Sequence, residues 1–130
     1  MFIMKFWIVA MVGMNIAVSS ADVVSDAVRE NVPAEQMRPY FETLLRAIRK
    51  AENGGPGREY GILNPAAKTE RQQAGWCAAT CWKNYIRWQK QGRKGDYIEF
   101  LAARYAPVGA GNDPQNLNKN WIRNVESFLK

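Results

Sequence analysis

Apolar side chains recur at helical spacing in four parts of this chain. The first stripe contains Met37, Phe41, Leu44, Leu45 and Ile48. Residues three and four apart share one face of a helix, so this spacing predicts an amphipathic helix over residues 40–52. A loop is predicted at 53–57, because three glycines and a proline in that stretch prevent the helix from continuing.

Three further helices are predicted in the second half of the chain. Thr69 has the position of a cap for a helix that runs to about residue 91. Asp96 and Glu99 form a capping-box pattern ahead of a helix over 97–105, and the last helix begins near residue 117. The apolar faces consist of Cys77, Cys81, Tyr85 and Trp88, then Ile98, Leu101 and Ala102, and finally Leu117, Trp121, Val125 and Phe128.

Two connecting segments complete the pattern. Residues 58–63 have the alternation of a short extended or hairpin element, with Tyr60 and Ile62 on one face. Residues 106–116 are rich in glycine, proline and asparagine and are predicted to form a long loop, a kind of segment that often carries function. The elements together predict a mainly α fold with room for one short β-hairpin.

The N-terminal segment differs from the rest of the chain. Lys5 precedes an apolar stretch over 6–18 that only Asn15 interrupts, and small residues follow at 19–21. This layout is typical of a secretory signal peptide, and it is shorter than the roughly 20 residues that span a bilayer. A retained, apolar membrane-anchoring helix is the alternative. We therefore divide the chain into a signal or anchor at 1–21, a helical lead-in at 22–39 and one domain at 40–130.

The composition excludes several kinds of chemistry. The 130 residues include no histidine, so neither a Ser-His-Asp nor a Cys-His nucleophile can be built, and two cysteines cannot complete a zinc site. We therefore expect no metal and no cofactor. The net charge of +6 favours polyanionic partners. Nucleic acid is not expected, because the basic residues are spread along the chain and form no run of five.

The two cysteines and two of the tryptophans fit a structural role. Cys77 and Cys81 are one helical turn apart, and a disulfide between them inside a regular helix would be strained. We therefore interpret both as small buried apolar residues. Trp88 and Trp121 have the spacing of core residues, although the Trp121 ring is also a candidate for stacking on a ligand.

One acidic residue interrupts the pattern of polar and apolar faces. Glu52 lies four residues after Ile48, so it continues the apolar stripe and not the solvated face of the helix. Burial disfavours the charged form of a carboxyl group and raises its pKa, and such a group can donate a proton near neutral pH. The alternative is that the last helical turn frays and Glu52 turns out to solvent.

Five short segments resemble a family of cell-wall enzymes. They are Ala-Glu-Asn-Gly-Gly at 51–55, Gln-Ala-Gly-Trp-Cys-Ala-Ala-Thr at 73–80, Phe-Leu-Ala-Ala-Arg-Tyr-Ala-Pro at 100–107, Asn-Asp-Pro at 112–114 and Asn-Trp-Ile-Arg-Asn-Val at 120–125. In order and spacing they are similar to lysozyme-like murein hydrolases, particularly soluble lytic transglycosylases and phage or bacterial glucosaminidase-like proteins. Asn53 stands where the transglycosylases usually have serine, and Ala106 follows the tyrosine where they have asparagine.

The resemblance implies a lysozyme-like fold that acts on peptidoglycan, with Glu52 at the position of the general acid and Tyr105 at that of the active-site tyrosine. A peptidoglycan substrate also suits the N-terminal segment, which predicts a protein exported to the cell envelope or anchored in the membrane; association with a virion is a further alternative for a phage-type protein. The partners of this chain would then be peptidoglycan, the membrane and a cell-envelope or virion assembly. The residues predicted to bind the substrate are Tyr105, Asn53, Tyr60, Trp76 and Asp113.

The reaction depends on whether a second carboxylate lies near Glu52. Retaining and inverting glycosidases both require one. Glu59 is a candidate, whereas Asp96 is better explained as a helix cap and Asp113 as a turn residue. We therefore favour a mechanism in which one acid protonates the leaving oxygen and then acts as the base, as in lytic transglycosylases. Hydrolysis of the bond between N-acetylmuramic acid and N-acetylglucosamine stays open as the other outcome.

A non-catalytic protein is the rival hypothesis. A small basic helical chain with an apolar N-terminal segment is also compatible with a virion component, a membrane-bound binding module or an inhibitor on a lysozyme-like scaffold. The surroundings of Glu52 distinguish the two hypotheses. An acid in an open groove near Tyr105 favours catalysis, whereas a salt bridge to Arg58 or Arg104 favours a structural role.

Overall fold

A computed structural model describes residues 22–105 and 117–130. Within these ranges the chain forms five α-helices and two short 3₁₀-helices, and it contains no strand. The mainly α prediction is therefore confirmed. The α-helices are α1 (Val23–Asn31), α2 (Arg38–Glu52), α3 (Glu70–Lys90), α4 (Tyr97–Tyr105) and α5 (Trp121–Leu129), and the 3₁₀-helices are Glu35–Met37 and Leu117–Asn120.

Helices α2 and α3 begin or end at residues that the sequence marks as helix breakers or caps. Pro39 lies in the first turn of α2, where its missing N–H leaves no bond unmade. Asn53 ends α2 in the left-handed region, with φ of 49°. Thr69 caps α3 through a capping box: its hydroxyl accepts from the N–H of Gln72 at 3.1 Å, and its own N–H donates to the Gln72 side chain at 3.1 Å.

Helix α2 lies at the centre of the core. Its predicted stripe is confirmed, because Phe41, Leu44, Leu45 and Ile48 are fully buried. Helix α2 packs against α1 on one side and against α5 on another. Burying each of these side chains contributes about 1.5–3 kcal/mol to stability, so the stripe fixes the position of α2 and of the residue at its end.

The second helical face of the core comes from α3. Cys77 and Cys81 are both buried and unbridged, which confirms the interpretation of the pair as small core residues. Trp121 is 5% exposed and belongs to the core, and Trp88 is partly buried and packs against the core cluster. The edges of Trp82, Tyr85 and Tyr97 surround the ring of Phe41.

The predicted hairpin at 58–63 is wrong, because this segment forms turns and not paired strands. A single buried amide, that of Gln73 in α3, takes the place of a partner strand. Its oxygen accepts from the N–H groups of Tyr60 at 3.2 Å and Ile62 at 3.1 Å. Its nitrogen donates to the carbonyls of Ile62 and Ala67, both at 2.8 Å. Four satisfied bonds hold the loop that connects α2 to α3.

The loop also requires a very close approach of its own backbone. A Cβ atom on Gly54 would lie 1.7 Å from the carbonyl oxygen of Arg58, so only glycine fits at this position. Within the described ranges, no helix is both long enough and apolar enough to cross a bilayer. The predicted signal or anchor at 1–21 and the predicted loop at 106–116, including Asp113, lie outside the described residues.

Candidate active site around Glu52

Glu52 is the last residue of α2 and is half-buried. The left-handed conformation of Asn53 ends the helix there and turns the chain away, which leaves the Glu52 carboxylate facing α5. One of its oxygens, Oε2, accepts a hydrogen bond from the indole nitrogen of Trp121 at 2.8 Å. The side chain is therefore ordered by a buried donor and does not extend freely into solvent.

The other carboxylate oxygen lies against the backbone of the connecting loop. Gly61 has φ of +72°, and a Cβ atom placed on it would lie 2.3 Å from Oε1 of Glu52. Any larger residue at this position would strain the backbone and displace the carboxylate. Gly61 is held here by the Gln73 bonds to its two neighbours, Tyr60 and Ile62. The loop thus forms one wall of the Glu52 site.

The electrostatic setting of Glu52 favours its protonated form. Burial raises the pKa of the Glu52 carboxyl group, and the hydrogen bond from Trp121 offsets this in part by lowering it. Within the described residues no cation forms an ion pair with Glu52. Arg58 donates instead to the carbonyl of Gly57, and Arg104 lies over the ring of Phe100 at 4.3 Å. The ion pair of Glu52 with Arg58 or Arg104, which would favour a structural role, is therefore not found among the described residues.

Tyr105 reaches the site from the end of α4. Its ring stacks on that of Trp121, with centroids 5.2 Å apart and planes inclined by 29°. Its hydroxyl donates to the backbone carbonyl of Tyr60. Burial also raises the pKa of Tyr105 well above its usual range, so the hydroxyl stays protonated. Tyr105 therefore supports Trp121, which in turn holds Glu52.

The sequence pattern did not predict that Trp121 would contact Glu52. Its spacing correctly indicates a core residue, but a buried indole N–H also needs an acceptor, and Glu52 is that acceptor. The sequence did contain a clue to this pairing. A desolvated Glu52 carboxylate requires a hydrogen-bond donor, and a buried Trp121 indole N–H requires an acceptor. Only the packing of α5 on α2 matches them.

Two further predicted binding residues lie outside this cluster. Asn53 is exposed and serves as the cap of α2. Trp76 is 41% exposed and lies in a groove of about 450 Å³ between α1 and α3, which Glu52 does not line. The structure therefore does not bring Trp76 to the acid. Asp113 cannot be placed, since it lies outside the described residues.

The loop between α2 and α3 places Tyr60 and Glu59 differently from the roles predicted for them. The proposed stacking of Tyr60 on a sugar is wrong for this conformation, because Tyr60 is fully buried; its backbone bond to Gln73 turns the ring inward. Glu59 is only 8% exposed, and one of its carboxylate oxygens accepts from the N–H of Gly57 at 3.0 Å. Glu59 thus orders the loop that it belongs to.

Comparison with protein family models, with curated proteins and with solved structures finds no match for this chain. The functional inference therefore depends on the chemistry of the site itself. Among the described residues, no group of three histidine, cysteine, aspartate or glutamate side chains is arranged to hold a metal ion. Glu52 accepts a hydrogen bond from Trp121 and lies against the Gly61 backbone, and burial raises its pKa, so its environment differs from that of an ordinary surface carboxylate.

Proposed function

We propose that this protein cleaves the β-1,4 glycosidic bond between N-acetylmuramic acid and N-acetylglucosamine in peptidoglycan, on a lysozyme-like fold. The observation that carries the proposal is the half-buried Glu52, which has a raised pKa, a buried hydrogen-bond donor and no described cationic partner. A carboxyl group with a raised pKa keeps its proton to a higher pH than an ordinary carboxyl group and can give that proton to a leaving group. The N-terminal apolar segment and the basic charge suit an exported or membrane-anchored protein acting on an anionic wall polymer.

The proposed reaction uses Glu52 first as the acid and then as the base. Protonated Glu52 gives its proton to the glycosidic oxygen, the bond between that oxygen and C1 breaks, and positive charge develops at C1. The N-acetyl group of the same sugar stabilises that charge. The Trp121 N–H stabilises the carboxylate as it forms, since hydrogen bonds to the charged form favour it.

The second half of the reaction decides the product. The Glu52 carboxylate takes a proton either from the C6 hydroxyl of the muramic sugar or from a water molecule. The first route closes a 1,6-anhydro ring, and the second leaves a reducing end. Glu59 is occupied with the N–H of Gly57, which supports a mechanism with a single acid.

The decisive test is Glu52→Gln, assayed on purified peptidoglycan in a zymogram and by release of soluble fragments. Removing a general acid should lower the rate by about 10²–10⁴-fold. Gln keeps an oxygen that accepts from Trp121, so the circular dichroism spectrum should not change. Mass spectrometry of the wild-type products distinguishes 1,6-anhydro ends from reducing ends.

Glu59→Gln is the matched control for this test. It removes a carboxylate from the same loop but keeps an acceptor for the N–H of Gly57, so activity should stay within about twofold of wild type. Equal losses in the two variants would indicate a mechanism with two carboxylates. Full activity in Glu52→Gln, or no activity in the wild-type protein, would reject the proposal and favour the non-catalytic virion or binding protein.

A further inference from the structure

A separate groove of about 520 Å³ lies between the first turn of α1, the last turns of α2 and the start of α3. Three of its lining side chains are cations, Arg46, Arg49 and Lys50, whereas Glu70 is its one acidic lining residue. Glu52 does not line this groove, although the next residue, Asn53, does. The groove therefore lies beside the candidate catalytic acid but is distinct from it.

The cations of the groove are only loosely paired. Arg49 and Glu70 approach to 3.6 Å, and so do Arg46 and Asp22, with all four side chains substantially exposed. Exposed pairs at such distances contribute little, so they are readily exchanged for a better anionic partner. Lys50 forms no ion pair within the described ranges, and its ammonium group lies 5.7 Å from the ring centroid of Phe128.

Tyr60 adds an unmatched donor to the same groove. It lines the groove and is fully buried, and the Arg49 guanidinium lies 5.8 Å from the centroid of its ring. Its hydroxyl is buried and finds no hydrogen-bond partner within the described part of the chain. Leaving a buried polar group unpaired is costly, and such groups are few in folded proteins. An acceptor from outside the fold would remove this cost.

We propose that this groove binds an oxyanion, a carboxylate or a phosphate, whose oxygen accepts from the Tyr60 hydroxyl while Arg46 and Arg49 supply the positive charge. The planar guanidinium group presents paired donors that match both kinds of oxyanion. The incoming anion replaces Glu70 as the partner of Arg49, whose guanidinium lies over the Tyr60 ring, and reaches the Tyr60 hydroxyl as the Arg49 side chain moves.

The proposed function indicates where the anion comes from, and this part of the inference rests on it. The peptides of peptidoglycan carry free carboxylates and are attached to N-acetylmuramic acid, one of the two sugars at the bond to be cleaved. The groove begins one residue after Glu52, and α2 is only ~10 Å across. Carboxylate-bearing glycan, and not neutral glycan, is therefore the substrate class that the groove selects.

The test measures binding to the full chain carrying Glu52→Gln, so that cleavage does not interfere. Three probes are titrated at constant ionic strength: inorganic phosphate, the disaccharide-tetrapeptide of peptidoglycan, and a neutral disaccharide of N-acetylglucosamine. Binding is followed by NMR at the backbone amides of Asn53 and Gly54, which line the groove. We expect the disaccharide-tetrapeptide to bind and the neutral disaccharide to leave these two amides unchanged.

Two groove variants and one charge-matched control make the result specific. Arg49→Gln should weaken binding about tenfold and Tyr60→Phe about fivefold, whereas Arg87→Gln on the exposed face of α3 should change it less than about twofold. Because Tyr60→Phe removes an unpaired hydroxyl, its melting temperature should not fall below that of the parent.

Each outcome bears on the site separately from the proposed catalysis. Binding of phosphate alone, sensitive to Arg49→Gln and Tyr60→Phe, would support the oxyanion site and overturn the peptide as its source. Binding that ignores both variants, or a Tyr60→Phe protein of lowered melting temperature, would overturn the site. A wild-type protein that fails to cleave peptidoglycan but shows groove-dependent binding would reject the proposed function and leave the site standing.

Discussion

At the scale of single residues, Glu52 and Trp121 satisfy each other. A half-buried carboxylate is poorly solvated, and a buried indole has one N–H that must be paired. The 2.8 Å bond between them meets both needs. It holds the carboxylate in one position, and it limits how far burial raises the pKa of Glu52. The proposed catalysis by Glu52 depends on both effects.

Trp121→Phe should change the pH dependence of activity. The variant keeps an aromatic ring for Tyr105 to stack on but loses the donor that favours the ionised carboxyl group. The pKa of Glu52 should then rise further, so the alkaline limb of the pH–rate profile should move to higher pH. Activity at its optimum should fall about tenfold, because the carboxylate formed on proton transfer loses its hydrogen bond.

Trp88→Phe provides the control for this prediction. The same atoms are removed, but the indole of Trp88 donates to the carbonyl of Gly95 at 3.2 Å and not to Glu52. Its pH–rate profile should match that of wild type. An identical shift in both variants, or an unshifted profile for Trp121→Phe, would contradict a role for the Trp121 hydrogen bond in setting the pKa of Glu52.

Glu52→Gln should stabilise the fold at neutral pH while removing activity. Burial raises the pKa of Glu52 above its ordinary value of 4.5. A group with a raised pKa binds its proton more tightly in the folded state, so its favourable contribution is complete below pH 4.5 and is lost as the pH rises through the folded pKa. Urea unfolding at about pH 8 should therefore show a higher free energy of unfolding for the variant than for wild type, with little difference at about pH 4. An equal gain at both values would point to a cause other than ionisation.

At the scale of elements, the candidate site is built where helix ends meet a loop. Glu52 ends α2, Tyr105 ends α4 and Trp121 begins α5. The side chain of Gln73 holds the loop between α2 and α3, and the loop presents Gly61 to the carboxylate. The helices thus place the acid, and the loop limits the space around it.

Gly61→Ala should impair activity more than stability. Its Cβ would lie 2.3 Å from Oε1 of Glu52, so the carboxylate must move away from the position at which Trp121 holds it. We expect a loss of activity of at least about tenfold, since small displacements of a catalytic group are costly. The positive φ adds about 1 kcal/mol of destabilisation.

Gly95→Ala separates these two effects. Gly95 has φ of +74°, close to the +72° of Gly61, but a Cβ there would meet nothing within 4 Å. The backbone penalty measured by urea unfolding should be similar in the two variants, while the activity of Gly95→Ala should stay near that of wild type. Equal activity losses would show that the contact between Gly61 and Glu52 is unimportant.

At the scale of the whole molecule, one core joins the described helices to the site. Helix α2 packs on α1 and α5, and α3 packs on α1 and α4, so one set of packing contacts connects the described helices to those that carry Glu52, Tyr105 and Trp121. The two thiols lie inside this core. They therefore report on the opening of the whole fold and not on local chemistry.

Cys77 and Cys81 should react with a thiol reagent only when the fold opens. Both are fully buried, and burial raises the pKa of Cys81, which lowers the fraction of reactive thiolate further. Intact mass should show two free thiols, and native labelling should be slower than labelling in denaturant by at least about a thousandfold. Rapid labelling of one cysteine under native conditions would mean that the core is locally open.

Much of this arrangement was predictable because it depends on local pattern. The 3.6-residue period placed α2, α3 and α5, and it put Glu52 on the apolar side of its helix. The capping box at Thr69 and the buried, unbridged cysteines also follow from residue types and spacing. The strand-like alternation of side chains at 58–63 was misleading, because the backbone of this segment forms hydrogen bonds with the Gln73 side chain and not with another strand.

The sequence by itself determined the helical pattern, the kinds of catalysis that the absence of histidine excludes, and the choice of Glu52 as the candidate acid. The tertiary structure decided which residues surround that acid. Trp121 lies 69 positions away from Glu52 along the chain, and no local period connects them. Their contact arises from the packing of α5 on α2. Tertiary packing also buried Tyr60 in the core, left Trp76 in a groove between α1 and α3, and formed a cationic groove between α1, α2 and α3 beside Glu52.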